Sequence, residues 1–161
     1  KKNKREKITQ SYLYINNEKL KYLHNNKKKK KTVLITSKDE LKKATKEDIA
    51  LVLSSIYKWK DAWKYSKINE YLSFYSKDFK RSDGSDFTIF SNQKKQIFAK
   101  NEDKTINLFN IDISPYPNSL NKTMYRILMD EEYTSPSVKF YGKKELFVEI
   151  ANNQLQILTE D

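Results

Sequence analysis

Residues 97–113 read IFAKNEDKTINLFNIDI, and the spacing of their apolar residues changes near Asp103. Before this point, apolar side chains recur every three or four residues, which is the period of an amphipathic helix. After it, Ile106 and Leu108 alternate with polar residues, and the alternation resumes at Ile111 after an irregularity. A period of two is typical of a strand with one buried face. The sequence therefore predicts helices before Asp103 and strands after it.

Three helices are predicted before this change of period. The first begins at the N-cap Thr45, with Asp48 three residues later in a variant of the capping box, and runs for about twenty residues. A second helix starts near Ile68, and a third covers residues 90–101. Their core-facing stripes are Ile49, Val52, Leu53, Ile56, Trp59 and Trp63; then Tyr71, Leu72, Tyr75 and Phe79; then Phe90, Lys94, Ile97 and Phe98.

The strands that follow are separated by recognisable turns. PYPNS at residues 115–119 is a turn, because proline does not fit a central strand. The third strand is expected to contain a bulge or bend at Gly142, and Asn152-Asn153 turns the chain into a last strand, LQILTE. The second strand alternates Tyr125, Ile127, Met129, Glu131 and Tyr133 on one face. Helices followed by an antiparallel sheet predict an α+β fold, with the helices packed on one face of a curved sheet.

Composition excludes several kinds of chemistry. The chain has 161 residues, no cysteine and two glycines, so disulfides, cysteine nucleophiles and a glycine-rich phosphate loop are excluded. Its one histidine, His24, lies in a lysine-rich stretch, which argues against a histidine base or a zinc site. We therefore expect neither a cofactor nor a metal. No apolar run approaches the ~20 residues of a membrane span.

The net charge of +11 is concentrated at the N-terminus. Residues 1–31 contain 12 Lys or Arg against two acids, which gives +10 and leaves +1 for the remainder. Such a block is typical of a solvated arm, and we do not expect nucleic acid to be the partner. We assign residues 1–44 to a basic arm or connector, with a short hairpin at 11–23 and a strand at 32–36. Because the chain begins KKNKREK without Met, we expect a piece of a longer protein.

The order of short motifs over residues 45–161 is similar to a known family. WKDAW…Y..FYS.DF, then F…K..IF, PYPN, E.Y.S and Q.L.E resemble the NTF2-like (SnoaL-like) fold, a cone of helices on a curved sheet. More narrowly, they resemble the C-terminal domain of periplasmic L,D-transpeptidase or L,D-carboxypeptidase enzymes. Those enzymes trim peptidoglycan peptides and help determine cell shape in curved and helical Gram-negative bacteria. Their catalytic domain uses a cysteine, which this chain lacks, so the resemblance implies that the chain is not itself the enzyme.

The resemblance also implies a pocket between the first helix and the sheet, which would bind peptidoglycan fragments (muropeptides) beside a neighbouring catalytic domain in the periplasm. The candidate ligand-binding residues are Trp59, Tyr71, Tyr75, Lys94, Tyr125, Glu131 and Tyr133. Alternatives stay open for several of them: Trp59 also suits a core position, and Lys94 suits the rim of the core. A small isomerase or dehydratase with Glu131 as its base is an alternative function, and a homodimerisation module is another.

Overall fold

The computed structural model describes residues 44–161, in which three helices precede a four-stranded antiparallel sheet. The predicted α+β architecture is thus confirmed. The hairpin predicted at residues 11–23 and the strand at 32–36 lie outside the described residues. The strands are arranged in the order β1-β2-β3-β4. The elements are α1 (Lys46–Lys64), α2 (Ile68–Ser73), α3 (Phe87–Ala99), β1 (Thr105–Pro115), β2 (Met124–Thr134), β3 (Lys139–Ala151) and β4 (Gln154–Glu160).

Helix α1 begins at the predicted N-cap. The Thr45 hydroxyl accepts a hydrogen bond from the backbone N–H of Asp48 at 3.0 Å. Two acids in the first turn, Glu47 and Asp48, favour this end of the helix dipole. The buried face of the helix consists of Val52, Ser55, Ile56, Trp59, Ala62 and Trp63. Helix α1 therefore packs on the sheet through the stripe that contains both tryptophans.

Replacing Thr45 with alanine is expected to lower the free energy of unfolding by about 1 kcal/mol, because the N–H of Asp48 loses its acceptor. Chemical denaturation measures this change. The matched control is Ser54→Ala in the same helix, where the exposed hydroxyl bonds only the Leu51 carbonyl. We expect the control to stay within about 0.5 kcal/mol of the parent chain. Equal stability of the two variants would contradict a capping role for Thr45.

Helix α2 is shorter than the sequence predicted. It ends at Ser73, and Tyr75 and Phe79 lie in the segment that follows, although both are buried. This segment pairs with β4 instead: the Ser76 N–H donates to the Ile157 carbonyl at 2.9 Å, and the Ile157 N–H donates to the Phe74 carbonyl at 2.8 Å. The helix stops early because these bonds satisfy the outer edge of β4, which a longer helix would leave open.

Two further predictions within the elements are wrong. Ile97 was expected on the core-facing stripe of α3 but is 50% exposed, because the buried face of this helix is narrow and consists of Phe90, Ser91 and Phe98. Gly142 was expected at a bulge or bend, but it continues the regular pairing of β3 with β2, opposite Glu131. A side chain at this position would instead meet the aromatic ring of Phe140.

Strands β1 and β4 each contain a register shift. The shift in β1, between Phe109 and Asp112, is the irregularity that the sequence predicted. The shift in β4 was not predicted: Ile157 pairs with Val148 and Thr159 pairs with Phe147, so the residue between them, Leu158, is extra. Such a bulge changes which side chains of a strand face the core. As a result Leu155, Ile157 and Glu160 are all buried on the side of the helices.

Candidate functional site in the concave face of the sheet

Five charged side chains meet on the face of the sheet that the helices cover. Nζ of Lys144 lies 3.0 Å from Oε1 of Glu160 and 3.5 Å from Oε2 of Glu131. Arg81 lies in the turn between α2 and α3 and approaches the carboxylate of Glu160, with its Nη2 3.6 Å from Oε2. Lys94 of α3 adds a third cation, which interacts electrostatically with Glu160 and Glu131. We call these five residues the charged cluster.

The strands position the charged cluster through their alternation. Glu131 faces inward in phase with Met129 and Tyr133, as the sequence predicted, and it is buried. Lys144 faces the same way because it lies two residues before Leu146 on β3, and residues two apart in a strand share a face. Glu160 faces inward only because the bulge at Leu158 shifts the alternation of β4 by one residue.

Aromatic side chains surround the cluster and hydrogen-bond to it. Nε1 of Trp59 donates to the Tyr75 hydroxyl at 3.1 Å. The Tyr75 hydroxyl has one proton, for which Oη of Tyr71 at 2.8 Å and Oε1 of Glu160 at 3.3 Å are both acceptors. This chain of contacts links α1 to the last residue of β4. Burial and the negative charge of Glu160 raise the pKa of Tyr71 and of Tyr75, so both stay protonated.

The ring of Trp63 lies between the cations and the end of β2. It stacks on Tyr133 with the ring centroids 5.5 Å apart. Nζ of Lys144 lies 5.7 Å from this indole and Nζ of Lys94 lies 6.0 Å from it, which are cation–π distances. Trp63 therefore contacts both lysines through its ring and belongs to the hydrophobic core as well.

The two carboxylates differ in acidity. Burial alone would raise the pKa of Glu160, but Lys144, Lys94 and Arg81 together bring it below the ordinary value. Burial raises the pKa of Glu131, and Lys144 and Lys94 oppose this shift without cancelling it, while the charge of Glu160 adds to it. At neutral pH, Glu160 is a fixed anion, whereas Glu131 takes up a proton more readily than an exposed glutamate.

Lys94 is the least compensated member of the charged cluster. Within residues 44–161 no carboxylate oxygen lies within 4.0 Å of its Nζ, and its close neighbours are the ring faces of Phe90, at 5.5 Å, and Trp63. Burial lowers the pKa of Lys94, although Glu160 opposes this shift. An anionic group of a ligand beside Lys94 would complete the pairing that the protein leaves open.

The structure brings six of the seven predicted site residues to this region. Lys94 and Glu131 belong to the charged cluster, and Trp59, Tyr71, Tyr75 and Tyr133 form the aromatic wall. Tyr125, the seventh predicted residue, lies apart from this region. Its hydroxyl donates to Oδ2 of Asp48 at 2.8 Å, near the start of α1.

Three charged residues were missed. Lys144 could have been found, since it alternates in phase with Leu146 and Val148. Arg81 lies in a turn and Glu160 lies beyond an unpredicted bulge, so periodicity carried no signal for either residue.

The arrangement is suited to holding a ligand that carries both signs of charge. Among residues 44–161 there is neither histidine nor cysteine, and no group of three or more acidic side chains is placed to hold a metal ion. In the same residues, no helix is long and apolar enough to cross a membrane. Trp59, Tyr71 and Tyr75 are buried in the core, so the charged groups and the half-buried ring of Tyr133 are what the site offers for binding.

Solved structures with this arrangement of helices and sheet include a bacterial cell-shape protein. The chain is 44% identical to the helical cell shape determining protein Pgp2 from Campylobacter jejuni, in a mutant form, with a TM-score of 0.72 over 73% of this chain and 41% of that chain. It is 20% identical to Bd1075 from Bdellovibrio bacteriovorus, with a TM-score of 0.60 over 68% of this chain and 38% of that chain. This chain therefore spans about two fifths of the length of either protein.

More distant structures share the fold alone. An NTF2-like protein from Pseudomonas putida is 9% identical, with a TM-score of 0.55 over 68% of this chain and 80% of that chain. No curated protein matches the chain. The family model for the Cds6 C-terminal NTF2-like domain matches residues 51–161, which is more than half of the sequence. The chain therefore belongs to the Cds6 C-terminal NTF2-like domain family.

Proposed function

We propose that the concave site binds muropeptides without cleaving them, as the accessory domain of a cell-shape-determining L,D-carboxypeptidase or L,D-transpeptidase. The observation that carries this proposal is the charged cluster, in which three cations and two carboxylates lie together under aromatic rings. A muropeptide carries carboxylates, an amine and sugar rings. A mostly apolar pocket with a few placed polar groups is the usual form of a small-molecule site.

The charges suit a zwitterionic peptide. A carboxylate of the ligand would give Lys94 the anionic partner that no acid among the described residues supplies. An amine of the ligand would compete with Lys144 for Glu131, because Nζ of Lys144 lies as far as 3.5 Å from Oε2 of Glu131. Each such contact is worth about 1 kcal/mol net, since the groups give up hydrogen bonds with water.

The similarity to Pgp2 supports the biological side of the proposal. Pgp2 is a helical cell shape determining protein, and this chain aligns with 41% of its length. In our proposal the chain acts next to a catalytic domain of the L,D-transpeptidase type, in the periplasm, and its own role is to position the substrate of that domain.

One observation favours a second candidate function. A buried glutamate with a raised pKa, such as Glu131, suits general acid–base catalysis, and this fold also hosts enzymes. The tyrosine hydroxyl that could assist it is directed elsewhere: Tyr75 lies 3.3 Å from Glu160, and no tyrosine in residues 44–161 hydrogen-bonds Glu131. We therefore rank binding above a small pocket enzyme.

A titration of the ¹⁵N-labelled 161-residue chain with a disaccharide-tripeptide muropeptide tests the proposal. We expect shifts at the charged cluster and a Kd on the order of 10⁻⁴ to 10⁻³ M. Lys94→Ala should weaken binding at least about fivefold by removing a charged hydrogen bond. The matched control is Lys95→Ala, which removes an exposed cation from the same helix. An unperturbed spectrum at millimolar ligand would contradict binding, and release of a cleaved peptide would favour the enzyme.

A further inference from the structure

The ring of Phe140 is folded over Gly142 on the concave face of the sheet. A Cβ added at Gly142 would lie 2.8 Å from Cζ of Phe140, closer than real Cβ contacts allow, and 3.4 Å from its Cε1. Gly142 is paired with Glu131 in the sheet, and Phe140 is paired with Tyr133. The absence of a side chain at position 142 therefore lets the Phe140 ring extend along β3 toward the charged cluster.

This ring is unusual because it faces the concave side and yet remains in water. Phe140 alternates in phase with Lys144 on β3, but it is 48% exposed. Beside it, Tyr133 is half-buried and stacks on Trp63. Phe140 thus places an exposed ring at the position opposite Tyr133 in the sheet, and Tyr133 contacts Trp63 beside the charged cluster.

We propose that Phe140, together with Tyr133, forms an aromatic subsite that stacks a sugar ring of the ligand whose peptide part occupies the charged cluster. The inference rests on the proposed muropeptide binding. A pyranose presents C–H groups on one face, which pack on an aromatic ring while its hydroxyls remain in water. Phe140 suits this role, because phenylalanine offers a ring face without a polar group that needs a partner.

The spacing agrees with a ligand that has two parts. Gly142, which underlies the ring, and Lys144 are two residues apart on β3, or ~7 Å. A sugar joined to a short peptide can cover both places, whereas a free peptide in the charged cluster leaves the ring unoccupied. The sugar should therefore increase affinity through this aromatic subsite.

Two probes separate this inference from the proposed function: a free stem tripeptide, and the same tripeptide joined to N-acetylglucosaminyl-N-acetylmuramic acid. We expect the 161-residue chain to bind the second about three- to tenfold more tightly, as one aromatic stacking contact allows. Phe140→Ala should remove this preference and leave the Kd of the free peptide unchanged. Gly142→Ala should do the same by displacing the ring.

Tyr141→Ala is the matched control, since this neighbour is 68% exposed and points to the opposite face of the sheet. We expect it to keep the preference for the sugar-bearing probe. Equal binding of both probes to the parent chain would overturn the aromatic subsite while leaving the proposed function intact. Equal weakening of both probes by Phe140→Ala, or loss of the preference in Tyr141→Ala, would also overturn it. Failure of both probes to bind would overturn the proposed function and the subsite with it.

Discussion

Replacing Trp59 with alanine is expected to lower the free energy of unfolding by about 3–5 kcal/mol. The indole is fully buried, at 0% exposure, and packs against Trp63 and Tyr71 with ring centroids 5.4 and 6.1 Å away. Alanine leaves a cavity on the buried face of α1 and also removes the N–H that donates to Tyr75. Chemical denaturation at neutral pH gives the change in free energy. Since small domains are stable by only about 5–15 kcal/mol, a loss of this size is easily measured.

The control for this variant is Tyr57→Ala, two residues earlier in α1. Its ring is 51% exposed, so we expect a loss of about 0.5 kcal/mol or less. If Trp59→Ala cost no more than the control, the aromatic core would not be what holds α1 on the sheet.

The second large effect is expected at Glu160. Glu160→Gln should lower the free energy of unfolding at pH 7 by about 3 kcal/mol, because Lys144 and Arg81 lose the anion that compensates them in a buried site. Glu131→Gln is the matched comparison, with the same chemical change on β2, which β3 separates from β4. It should leave stability unchanged or slightly raised, since the raised pKa of Glu131 means that its surroundings favour the uncharged form.

The pH dependence of the two variants should be opposite in sign. The pKa of Glu160 is lowered by folding, so its stabilisation is present above the ordinary glutamate pKa and is lost as pH falls through the lower, folded value. The loss in the free energy of unfolding caused by Glu160→Gln should therefore become smaller in acid. Folding raises the pKa of Glu131. Its ionised form therefore destabilises the fold at pH values above this raised pKa, whereas below the ordinary glutamate pKa the group is protonated and the effect is absent. Any gain in Glu131→Gln should disappear in acid. Denaturation curves from pH 7 to pH 3 that showed the reverse would contradict this assignment.

Glu131 and Glu160 show which side-chain directions could be predicted from the sequence and which could not. Glu131 lies in a strand whose alternation is unbroken, so its inward direction follows from Met129 and Tyr133. The alternation of Leu155 and Ile157 would place Thr159 inward and Glu160 outward. The bulge at Leu158 reverses this, and the residues around it contain no glycine or proline that would reveal it.

The helices show the same limit. Thr45 and the stripe of α1 have strong local signals, a cap and a long period, and both were predicted correctly. The end of α2 depends on hydrogen bonds with Ile157, more than eighty residues away in the chain, which no local pattern reports. The change of period near Asp103 sufficed for the fold class, but the site is assembled from contacts distant in sequence, as between Arg81 and Glu160.

The position of the two tryptophans beside the charged cluster has a spectroscopic consequence. They are the only tryptophans in the 161 residues, so the entire indole emission of the chain arises next to this site. Indole emission depends on the electric field at the ring, and Trp63 has two ammonium groups within 6.0 Å. A ligand that draws Lys94 or Lys144 away from the ring changes this field. The chain therefore carries its own optical probe of occupancy, and binding can be followed by fluorescence without a label.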